Sequence, residues 1–303
     1  MKKFIIVTVD TEGDNLWDWT TGKEIETKNS KFLVPFQDIC EKYRFYPVYL
    51  TNYEMAMDDY FADFARKKAT QGLCEIGMHL HAWNTPPEYT LSGEYSGNPY
   101  ITEYPRDVIK EKHVYLKKLI YDRIGAEPVS YRSGRWATSI DLFSVLDELG
   151  FKVDCSVTPG IIHAAPGVTV SCANDYRKAM RLPYNVQGNL FEVPMTTRVR
   201  RTLRGNNLKR KVINTLRGQR IWLRPALHTK DEMCALIDIV KNEETDYLMF
   251  MIHSSELMPG GSPYCKTSED VEQFLKKLDD MFAYVKDFGE GILLKDYADS
   301  LCR

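Results

Sequence analysis

The chain has 303 residues, more than one β-sandwich needs and comfortable for a single α/β barrel of about 250 residues. Its 44% hydrophobic and 27% charged residues are ordinary for a globular protein, and the formal net charge of −2 excludes a globally basic nucleic-acid-binding protein. The seven cysteines are scattered without a Cys-x-x-Cys pair, so we expect free thiols in a reducing compartment, with neither a disulfide framework nor a cysteine metal site.

Short β-rich runs alternate with helical patterns along almost the whole chain. The first apolar run, 4–9, is shorter than the hydrophobic region of a signal peptide, which takes about 7–15 residues, and we predict a buried strand there. No stretch approaches the roughly 20 apolar residues of a membrane span, and we expect a soluble, cytoplasmic protein. The predicted strands are 4–9, 46–50, 73–79, 128–132, 151–155, 189–194, 247–252 and 291–295, and the predicted helices are 30–44, 54–70, 106–124, 139–149, 230–244 and 267–287.

This alternation leaves two architectures, an open doubly wound sheet or a closed barrel. An open sheet usually carries a glycine-rich phosphate-binding turn after its first strand. The turn here, from Asp10 to Asp14, is Asp-Thr-Glu-Gly-Asp, which is acidic and would repel phosphate. We therefore predict one α/β domain over 1–303, built as a (β/α) barrel.

Polar side chains stand at the carboxyl ends of five predicted strands. In a barrel these ends open onto one face, where active sites lie. We therefore expect the side chains to converge on one site. They are Asp10 and Glu12 after the first strand, His79 and His81 at the third, Arg132 at the fourth, Asp154 at the fifth and His253 after the strand 247–252.

The two-residue spacing within Asp10-x-Glu12 and within His79-x-His81 indicates that each pair shares one site. Residues two apart in extended backbone point to the same side, so each pair can offer both side chains to one point. Two imidazoles and a carboxylate make the open three-ligand site of a catalytic metal. We predict a divalent metal, zinc first; iron, cobalt, nickel and manganese are compatible, because ligand type alone does not name the metal.

Five ordered motifs between residues 7 and 258 carry a family resemblance. They are Val-Thr-Val-Asp-Thr-Glu-Gly-Asp from Val7, Glu-Ile-Gly-Met-His-Leu-His from Glu75, Tyr-Arg-Ser-Gly-Arg-Trp from Tyr131, Val-Asp-Cys-Ser-Val-Thr-Pro from Val153 and Ile-His-Ser-Ser-Glu-Leu from Ile252. In this set the chain resembles the polysaccharide deacetylases of the NodB-type carbohydrate esterase family. The resemblance implies a distorted (β/α)7–8 barrel and the hydrolysis of an N-acetyl group on a sugar.

The chain departs from the family pattern in several places. The first motif of the family pairs two adjacent aspartates, a base and a metal ligand, whereas Thr11 stands in the second place here. Glu12 or Asp14 must then be the carboxylate ligand. The family's second histidine lies four residues after the first, where this chain has Trp83, and His81 is the substitute. The third motif lacks a proline between its arginine and glycine, and the fourth lacks a tryptophan after it.

The resemblance also implies a mechanism. Glu12, His79 and His81 would hold a metal that activates water. Asp10 would be the general base and His253 the acid that protonates the departing amine. Residues next to these positions receive supporting roles. Arg132 would keep Asp10 ionised, and Asp154 or Glu256 would orient a catalytic partner. Trp83, Tyr131 and Trp136 would form a platform for a sugar ring, and Glu256 would lie beside the substrate.

Two other functions stay open at this stage. The family also contains C–N hydrolases of small cyclic amides, so a small amide substrate is an alternative. A catalytically silent sugar-binding module on the same fold is another.

The segment 198–224 contains no acidic residue and is not required by the barrel. Its part from Leu208 to Leu216 can form a helix with Leu208, Val212 and Leu216 on one side. We expect either a solvated basic face whose apolar side packs on the barrel, or a surface that attracts phosphate. The phosphate could belong to a nucleotide-linked or lipid-linked saccharide or to an anionic inner-membrane surface, and no nucleic-acid partner is expected.

Overall fold

A curled, mainly parallel sheet forms the centre of the protein. The computed structural model describes residues 2–18, 23–91, 99–163, 174–201, 207–209, 212, 216 and 218–302. The main sheet has the order β10-β1-β2-β3-β4-β5-β7-β6, in which β6 alone runs antiparallel to its neighbour, and β11 pairs with the start of β1. Its strands are β1 (Lys3–Thr11), β2 (Pro47–Thr51), β3 (Glu75–Leu80), β4 (Ser130–Ser133), β5 (Val153–Asp154), β6 (Tyr184–Gln187), β7 (Leu190–Glu192), β10 (Tyr247–His253) and β11 (Gly289–Gly291), while β8 (Thr197–Arg200) and β9 (Gln219–Trp222) form a separate antiparallel hairpin.

The two ends of the parallel path approach each other without pairing as strands. The Met249 amide donates to Thr196 Oγ1 at 2.9 Å, and the Met251 amide donates to the Leu223 carbonyl at 3.0 Å. Irregular segments after β7 and β9 therefore cover the free edge of β10 and satisfy its backbone groups. The result is the distorted barrel that the motifs predicted. Leu223 belongs to the segment 198–224, so the expectation that the barrel does not require this segment was wrong.

Most helices cover the outside of the sheet, whereas the last one packs Leu294 and Tyr297 into the interior cluster with Ile6. Eight helices lie within the described ranges: α1 (Leu33–Tyr43), α2 (Tyr53–Met57), α3 (Asp59–Thr70), α4 (Arg106–Ile124), α5 (Ile140–Glu148), α6 (Lys230–Lys241), α7 (Ser268–Val285) and α8 (Leu294–Leu301). None of them is both long and apolar enough to cross a membrane.

The predicted helix 54–70 is two helices, because Asp58 has extended backbone and its carboxylate accepts from the Phe61 amide at 2.7 Å as a helix cap. The predicted strand 291–295 was also displaced. The strand there is Gly289–Gly291, and Leu294 begins α8, whose Lys295 amide donates to the Glu75 carboxylate at 3.0 Å. Both differences come from side-chain contacts at helix starts, where periodicity is least informative.

Residues of β1 alternate between two packing environments. Ile5, Val7 and Val9 pack beneath the helices, whereas Ile6 packs inside the barrel with residues of β2, β5 and β10. Since side chains two apart on a strand share a face, Asp10 lies on the interior side, at the carboxyl end. This alternation is what directs the polar end of β1 into the mouth of the barrel.

In the segment 198–224, which we call the basic segment, the apolar side of the predicted helix is exposed. Leu208, Val212 and Leu216 are helical, and 78%, 50% and 69% of their surfaces are accessible. The expectation that the apolar side of this segment packs on the barrel is therefore wrong for these three side chains. The other positions between Leu208 and Leu216, apart from Lys209, lie outside the described residues.

Candidate metal centre and active site

Three side chains from the ends of β1 and β3 converge on one point. Glu12 Oε2 lies 3.5 Å from His79 Nε2 and 3.3 Å from His81 Nε2, and the two imidazole nitrogens are 2.9 Å apart. One donor atom from each residue lies within 4.8 Å of the other two, and all three residues are buried. Parallel pairing of β1, β2 and β3 brings the two strand ends to the same edge of the barrel.

The barrel backbone holds both histidines in place. His79 Nδ1 lies 2.9 Å from the Arg132 carbonyl, which can only accept, so Nδ1 carries the hydrogen and Nε2 is free to bind a ligand. A Cβ at Gly134 would lie 2.3 Å from His81 Cδ2 and 2.5 Å from the Leu80 carbonyl oxygen. Glycine in the third motif is therefore needed to admit the His81 ring.

The charges around the two imidazoles differ. Burial, together with neighbouring His79, lowers the pKa of His81 well below its usual value, which favours the neutral imidazole that binds metals. Burial also opposes charge on His79, but the Asp10 and Glu12 carboxylates outweigh it and raise the pKa of His79.

Asp10 is held as a carboxylate by Arg132. The Arg132 Nη1 atom lies 2.5 Å from Asp10 Oδ1, and this guanidinium is fully buried, with further hydrogen bonds to Thr8 Oγ1 at 3.0 Å and the Cys155 carbonyl at 3.1 Å. Burial alone would raise the pKa of Asp10, but the attractions of Arg132, His79 and His253 together outweigh it and the pKa falls to about 2. The predicted pairing of these two residues is present.

His253 completes the site from the end of β10. Its Nε2 atom lies 3.8 Å from Asp10 Oδ2 and 3.8 Å from Glu12 Oε1. On the other side of the ring, Nδ1 lies 3.1 Å from Arg224 Nη2 and 3.4 Å from Glu256 Oε1. Arg224 also donates to Glu256 at 3.3 Å. No strand-end or spacing signal in the sequence marks Arg224, because its position depends on Leu223, the preceding residue, which pairs with β10 in the fold.

Two aromatic residues not predicted for the site lie against its outer edge. The Trp17 ring is 4.9 Å from the His253 ring and 5.9 Å from the Tyr264 ring, in edge-on contacts, and both aromatics are exposed. Trp83, which was predicted to bind substrate, lies 4.3 Å from the His81 ring. The sequence signal that could have placed Trp17 at the site is that it closely follows the Asp-Thr-Glu-Gly-Asp turn.

Glu54 is a further neighbour that sequence reasoning missed. It lies on α2, accepts a hydrogen bond from Asn84, and its other carboxylate oxygen has no partner among the described residues. Burial, with a smaller contribution from the nearby Glu12 charge, raises the pKa of Glu54 to about 7. Because the residue starts a short helix instead of ending a strand, the strand-end argument could not find it.

Several predicted site residues have other contacts. Tyr131 is fully buried, with its ring 5.1 Å from His113 and 5.8 Å from Phe151, because it is next to Arg132 on β4 and so points away from the barrel interior. It is a core residue and not part of a sugar platform. Trp136 stacks on His163 at 5.3 Å, and the Arg132 guanidinium lies 5.0 Å from its ring centre, so much of this ring is also covered.

The remaining carboxylates can also be placed. The Asp14 carboxylate accepts from the Lys28 and Asn29 amides at 2.9 and 3.0 Å, so it stabilises a turn and lies outside the Glu12 cluster. Asp154 accepts from Ser156 Oγ at 2.5 Å and interacts with Glu192, and burial raises the pKa of Asp154. Val153 and Cys155 pack in the barrel interior and Asp154 is in register with Tyr131, so Asp154 points to the helix side of the sheet. The carboxylate that contacts His253 is therefore Glu256 and not Asp154; it is fully buried behind the ring, so the expectation that it lies beside the substrate was wrong.

Comparisons with known proteins support the fold. No family model and no curated protein matches the chain. Among solved structures, a protein assigned as a polysaccharide deacetylase from Mycobacterium smegmatis is similar, with a TM-score of 0.52 and 14% identity over 100% of this chain and 91% of that one. A 4-α-glucanotransferase from Thermococcus litoralis has a TM-score of 0.56 and 11% identity over 99% of this chain and 40% of its own. A GH57-type branching enzyme from Pyrococcus horikoshii has a TM-score of 0.57 and 9% identity over 99% and 71%.

At sequence identities of 14%, 11% and 9%, these similarities are evidence for the fold alone. The chain has the distorted barrel of the polysaccharide deacetylases, so the resemblance drawn from its five motifs is confirmed at that level. The same barrel also occurs in proteins of other activity, so the function has to be argued from the site itself.

Proposed function

We propose that this protein is a metal-dependent hydrolase that removes N-acetyl groups from a sugar or glycan precursor. The observation that carries the proposal is the convergence of Glu12, His79 and His81 on one point, beside Asp10 and His253. The similar Mycobacterium smegmatis protein, assigned as a polysaccharide deacetylase, supports the reaction class.

The residues of the cluster fit a divalent ion. Two imidazole nitrogens and one carboxylate oxygen, all buried and mutually close, form the open three-ligand set of catalytic zinc and of ferrous iron. The hydrogen bond from His79 Nδ1 to the Arg132 carbonyl leaves Nε2 available to such an ion. A divalent ion held by Glu12, His79 and His81 would supply Lewis acidity, which polarises a carbonyl and makes water a stronger acid.

Asp10 is suited to act as the general base. Its ion pair with Arg132 keeps it ionised over the whole physiological range, and Oδ2 remains directed towards His253 at 3.8 Å. Asp10 would take a proton from the attacking water at Oδ2, while Oδ1 stays paired with Arg132. The Arg132 charge thus holds the orientation of the carboxylate during proton transfer.

His253 is suited to deliver a proton to the departing amine. An arginine can only donate, so its 3.1 Å contact with Nδ1 requires Nδ1 to accept and places the hydrogen on Nε2. The 3.4 Å contact with Glu256 instead suits an imidazolium with both nitrogens protonated. The neutral form is not itself the acid, because loss of its Nε2 proton would leave an imidazolate. The imidazolium is the acid, and it presents its Nε2 proton towards Asp10 and Glu12.

The exposed rings of Trp17 and Tyr264 support a carbohydrate substrate. They lie next to His253 at the rim of the site, and aromatic faces of this kind provide apolar contact area for sugar rings. A small cyclic amide would need a closed pocket more than an exposed aromatic rim, so the rim favours a glycan over the small-amide alternative.

The basic segment 198–224 supports a more specific proposal about the substrate and where it is presented. We infer that the substrate carries phosphate or is presented at an anionic membrane surface. Leu208, Val212 and Leu216 are helical and exposed, lie at four-residue spacing and alternate in the sequence with lysines and arginines, as in a helix that lies on anionic lipid.

One experiment separates the candidate functions. The purified protein, reconstituted with zinc, cobalt or iron, is incubated with N-acetylglucosamine oligomers, with a cyclic amide and with maltooligosaccharides. We expect acetate release from the first substrate alone, lost in His253→Ala. Transfer of glucosyl units between maltooligosaccharides would instead assign the chemistry of the two glucan-acting neighbours. Binding of the N-acetylglucosamine oligomers without acetate release would indicate a silent sugar-binding module.

A further inference from the structure

Two carboxyl side chains lie next to each other on the helix side of the sheet. Asp154 on β5 is in register with Glu192 on β7, and both residues are fully buried. Val153 and Val193, which adjoin them in the sequence, pack in the barrel interior, so the two carboxyls point away from the interior. Adjacent strands of a sheet are about 4.8 Å apart, and register partners on one face are therefore direct neighbours.

Each of these carboxyls has one oxygen bonded and one oxygen without a partner. Asp154 Oδ1 accepts from the Ser156 hydroxyl at 2.5 Å, and Glu192 Oε1 accepts from the Val157 amide at 3.1 Å. Asp154 Oδ2 and Glu192 Oε2 are buried and accept no hydrogen bond from the part of the chain that the structure describes. Buried polar atoms are normally hydrogen-bonded. A single proton between Oδ2 and Oε2 would satisfy both atoms.

No cation neutralises the pair at close range. Within the described ranges neither carboxylate forms an ion pair, and the guanidinium of Arg132 points to the interior side of β4, where it pairs with Asp10. Two ionised carboxylates held together in a buried place repel each other, and a proton on one of them removes the repulsion. Burial, and next the charge of Asp154, raises the pKa of Glu192 well above its usual value.

The other ionisable groups around the pair do not supply a free positive charge. Most are phenols and a thiol, and burial raises their pKa values, so they are neutral at pH 7. These groups are Tyr131 on β4, Cys155 after β5, Tyr176 before β6, Tyr184 on β6 and Tyr247 on β10. Lys152, before β5, pairs with Asp299 of α8 at 2.8 Å. On α5, which packs against β6 and β7, Asp147 accepts from the Asn189 amide at 3.0 Å, next to the start of β7 and not at its Glu192 end.

The backbone after β5 connects the pair to the active site. Arg132 Nε donates to the Cys155 carbonyl at 3.1 Å, and Arg132 Nη1 pairs with Asp10. Strand β5 has only two residues, the second of which is Asp154, and Cys155 follows directly. Most strands are longer, and because so short a strand forms few backbone hydrogen bonds, its side-chain contacts matter more to its position. The position of the Cys155 carbonyl therefore depends on what Asp154 contacts.

We propose that Asp154 and Glu192 share one proton and thereby hold the end of β5 in place. The Cys155 carbonyl at that end then orients Arg132 towards Asp10. Glu192 Oε2 carries the proton and donates it to Asp154 Oδ2, which keeps the single negative charge. When the proton leaves, two adjacent buried charges repel each other and β5 separates from β7. Both carboxyls are positioning residues that act through Arg132, and only this effect on Asp10 rests on the proposed function.

The shared proton can be observed without turnover. A protonated carboxyl has a C=O stretching band that a carboxylate lacks, so infrared spectra of the whole wild-type protein and of Glu192→Gln are compared at pH 7. We expect a protonated-carboxyl band that is lost in Glu192→Gln, because the amide donates the same hydrogen bond without a titrating proton. Glu148→Gln, at an exposed glutamate whose Oε2 lies 3.2 Å from Lys110 Nζ, is the matched control and should keep the band. Identical spectra of the wild type and Glu192→Gln would overturn the proposal.

The pH dependence of unfolding measures the same proton. Glu192 ionises near 4.5 in the unfolded chain, whereas in the folded chain it stays protonated well above that pH. Unfolding therefore releases a proton, and the free energy of unfolding falls as the pH rises from 5 to 7. Over this range the unfolding equilibrium constant from urea denaturation should rise by about tenfold per pH unit more in the wild type than in Glu192→Gln. Parallel curves would contradict a shared proton.

The effect on Asp10 is tested by two substitutions of Glu192 in the reconstituted enzyme. Glu192→Gln keeps the hydrogen bond and should retain kcat. Glu192→Met has a similar length but cannot donate, and it should lower kcat about tenfold with little change in KM and in metal content. The acidic limb of the pH–rate profile should move to higher pH in Glu192→Met alone, because a displaced Arg132 no longer helps to hold the pKa of Asp10 at about 2.

Thermal unfolding checks that both variants are folded. If Glu192→Met does not fold, Glu192→Asp, which is one methylene shorter, takes its place. Equal kcat values and equal pH–rate profiles in the two variants would exclude the positioning role.

Three outcomes separate this proposal from the proposed function and from a bound cation. An infrared band and a pH dependence that require Glu192, without acetate release from any N-acetylated sugar, would support the shared proton and count against the hydrolase. Acetate release by a wild type that lacks both signatures would leave the hydrolase intact and overturn the shared proton. Calcium or magnesium that is bound to the wild type and lost in Glu192→Gln would place a cation between Oδ2 and Oε2 and would overturn it as well.

Discussion

The Nε2 atoms of His79 and His81 face each other at 2.9 Å, and both lie within 3.5 Å of Glu12 Oε2. His79 cannot turn away, because its other nitrogen donates to the Arg132 carbonyl. Two ring nitrogens and a carboxylate oxygen in this arrangement share either a proton or a cation, and the lowered pKa of His81 disfavours a second proton.

The first prediction concerns the metal. Glu12→Gln, His79→Ala or His81→Ala should each lose bound zinc or cobalt on dialysis, because each removes one of three ligands. His113→Gln, at a buried histidine whose Nδ1 lies 2.6 Å from the Ile109 carbonyl of its own helix, is the control and should keep the metal. Elemental analysis of folded, dialysed samples makes the comparison. Full metal occupancy in His81→Ala would exclude this histidine as a ligand.

The second prediction separates the base from the ligands. Asp10→Asn should retain the metal but reduce kcat by at least about 10²-fold, because the amide cannot accept the proton from water. Asp14→Asn, at the turn that binds the Lys28 amide, is the matched control, and we expect near-normal kcat. If Asp10→Asn lost its metal together with its activity, Asp10 would be a ligand and not a base.

The third prediction concerns Arg224, which positions His253. Arg224→Gln should lower kcat about tenfold with little change in KM and in metal content, since the hydrogen bonds of Arg224 go to His253 and Glu256. His253→Ala should lower kcat by at least about 10²-fold. Because the base must be ionised and the acid protonated, the pH–rate profile of the wild type should be bell-shaped, and its alkaline limb should move in Arg224→Gln. An unchanged profile would make the role of Arg224 purely structural.

The fourth prediction concerns the opposite end of the barrel. Burial raises the pKa of Glu75 from 4.5 to about 7, despite its bonds to the Lys295 amide and to Ser130. Below pH 4.5 the carboxyl is protonated in both the folded and the unfolded chain. Between 4.5 and 7 only the unfolded chain ionises, so the free energy of unfolding falls as the pH rises, by up to about 3 kcal/mol at 1.36 kcal/mol per unit.

Urea denaturation of Glu75→Gln at pH 4.5, 6 and 8 tests this, since the variant should lose that part of the pH dependence. Glu127→Gln, at an exposed ion pair with Lys117, should follow the wild type. Wild-type and Glu75→Gln stabilities that change in parallel with pH would contradict the assignment.

The fifth prediction concerns the basic segment. Co-sedimentation with anionic vesicles should be strong at low salt and weak at high salt, and absent with neutral lipid, because the attraction is electrostatic. Leu208→Ser with Leu216→Ser should reduce it, as both side chains are exposed. Failure to bind anionic vesicles even at low salt would discard the membrane partner.

Much of the site could be predicted from the sequence because the relevant signals are local. Side chains two apart on a strand share a face, so Glu12 follows the interior direction of Asp10, and His81 that of His79. Parallel strands bring their carboxyl ends together, which places His253 with both pairs. The alternation of side chains along a strand also excludes Tyr131 from the site, because Tyr131 is next to Arg132 on β4 and therefore points to the helix side.

Periodicity and spacing within single strands were therefore enough to predict the barrel class, the strands whose ends carry the polar residues and the Glu-His-His group. The partners that surround this group depend on how distant parts of the chain fold together. Arg224 reaches His253 because the backbone after β9 pairs with β10, and Glu54 reaches the site from the start of a helix. Asp14 was separated from Glu12 by its bonds to the Lys28 and Asn29 amides. These contacts join residues that are distant in the chain or set by turn geometry, and no periodicity records them.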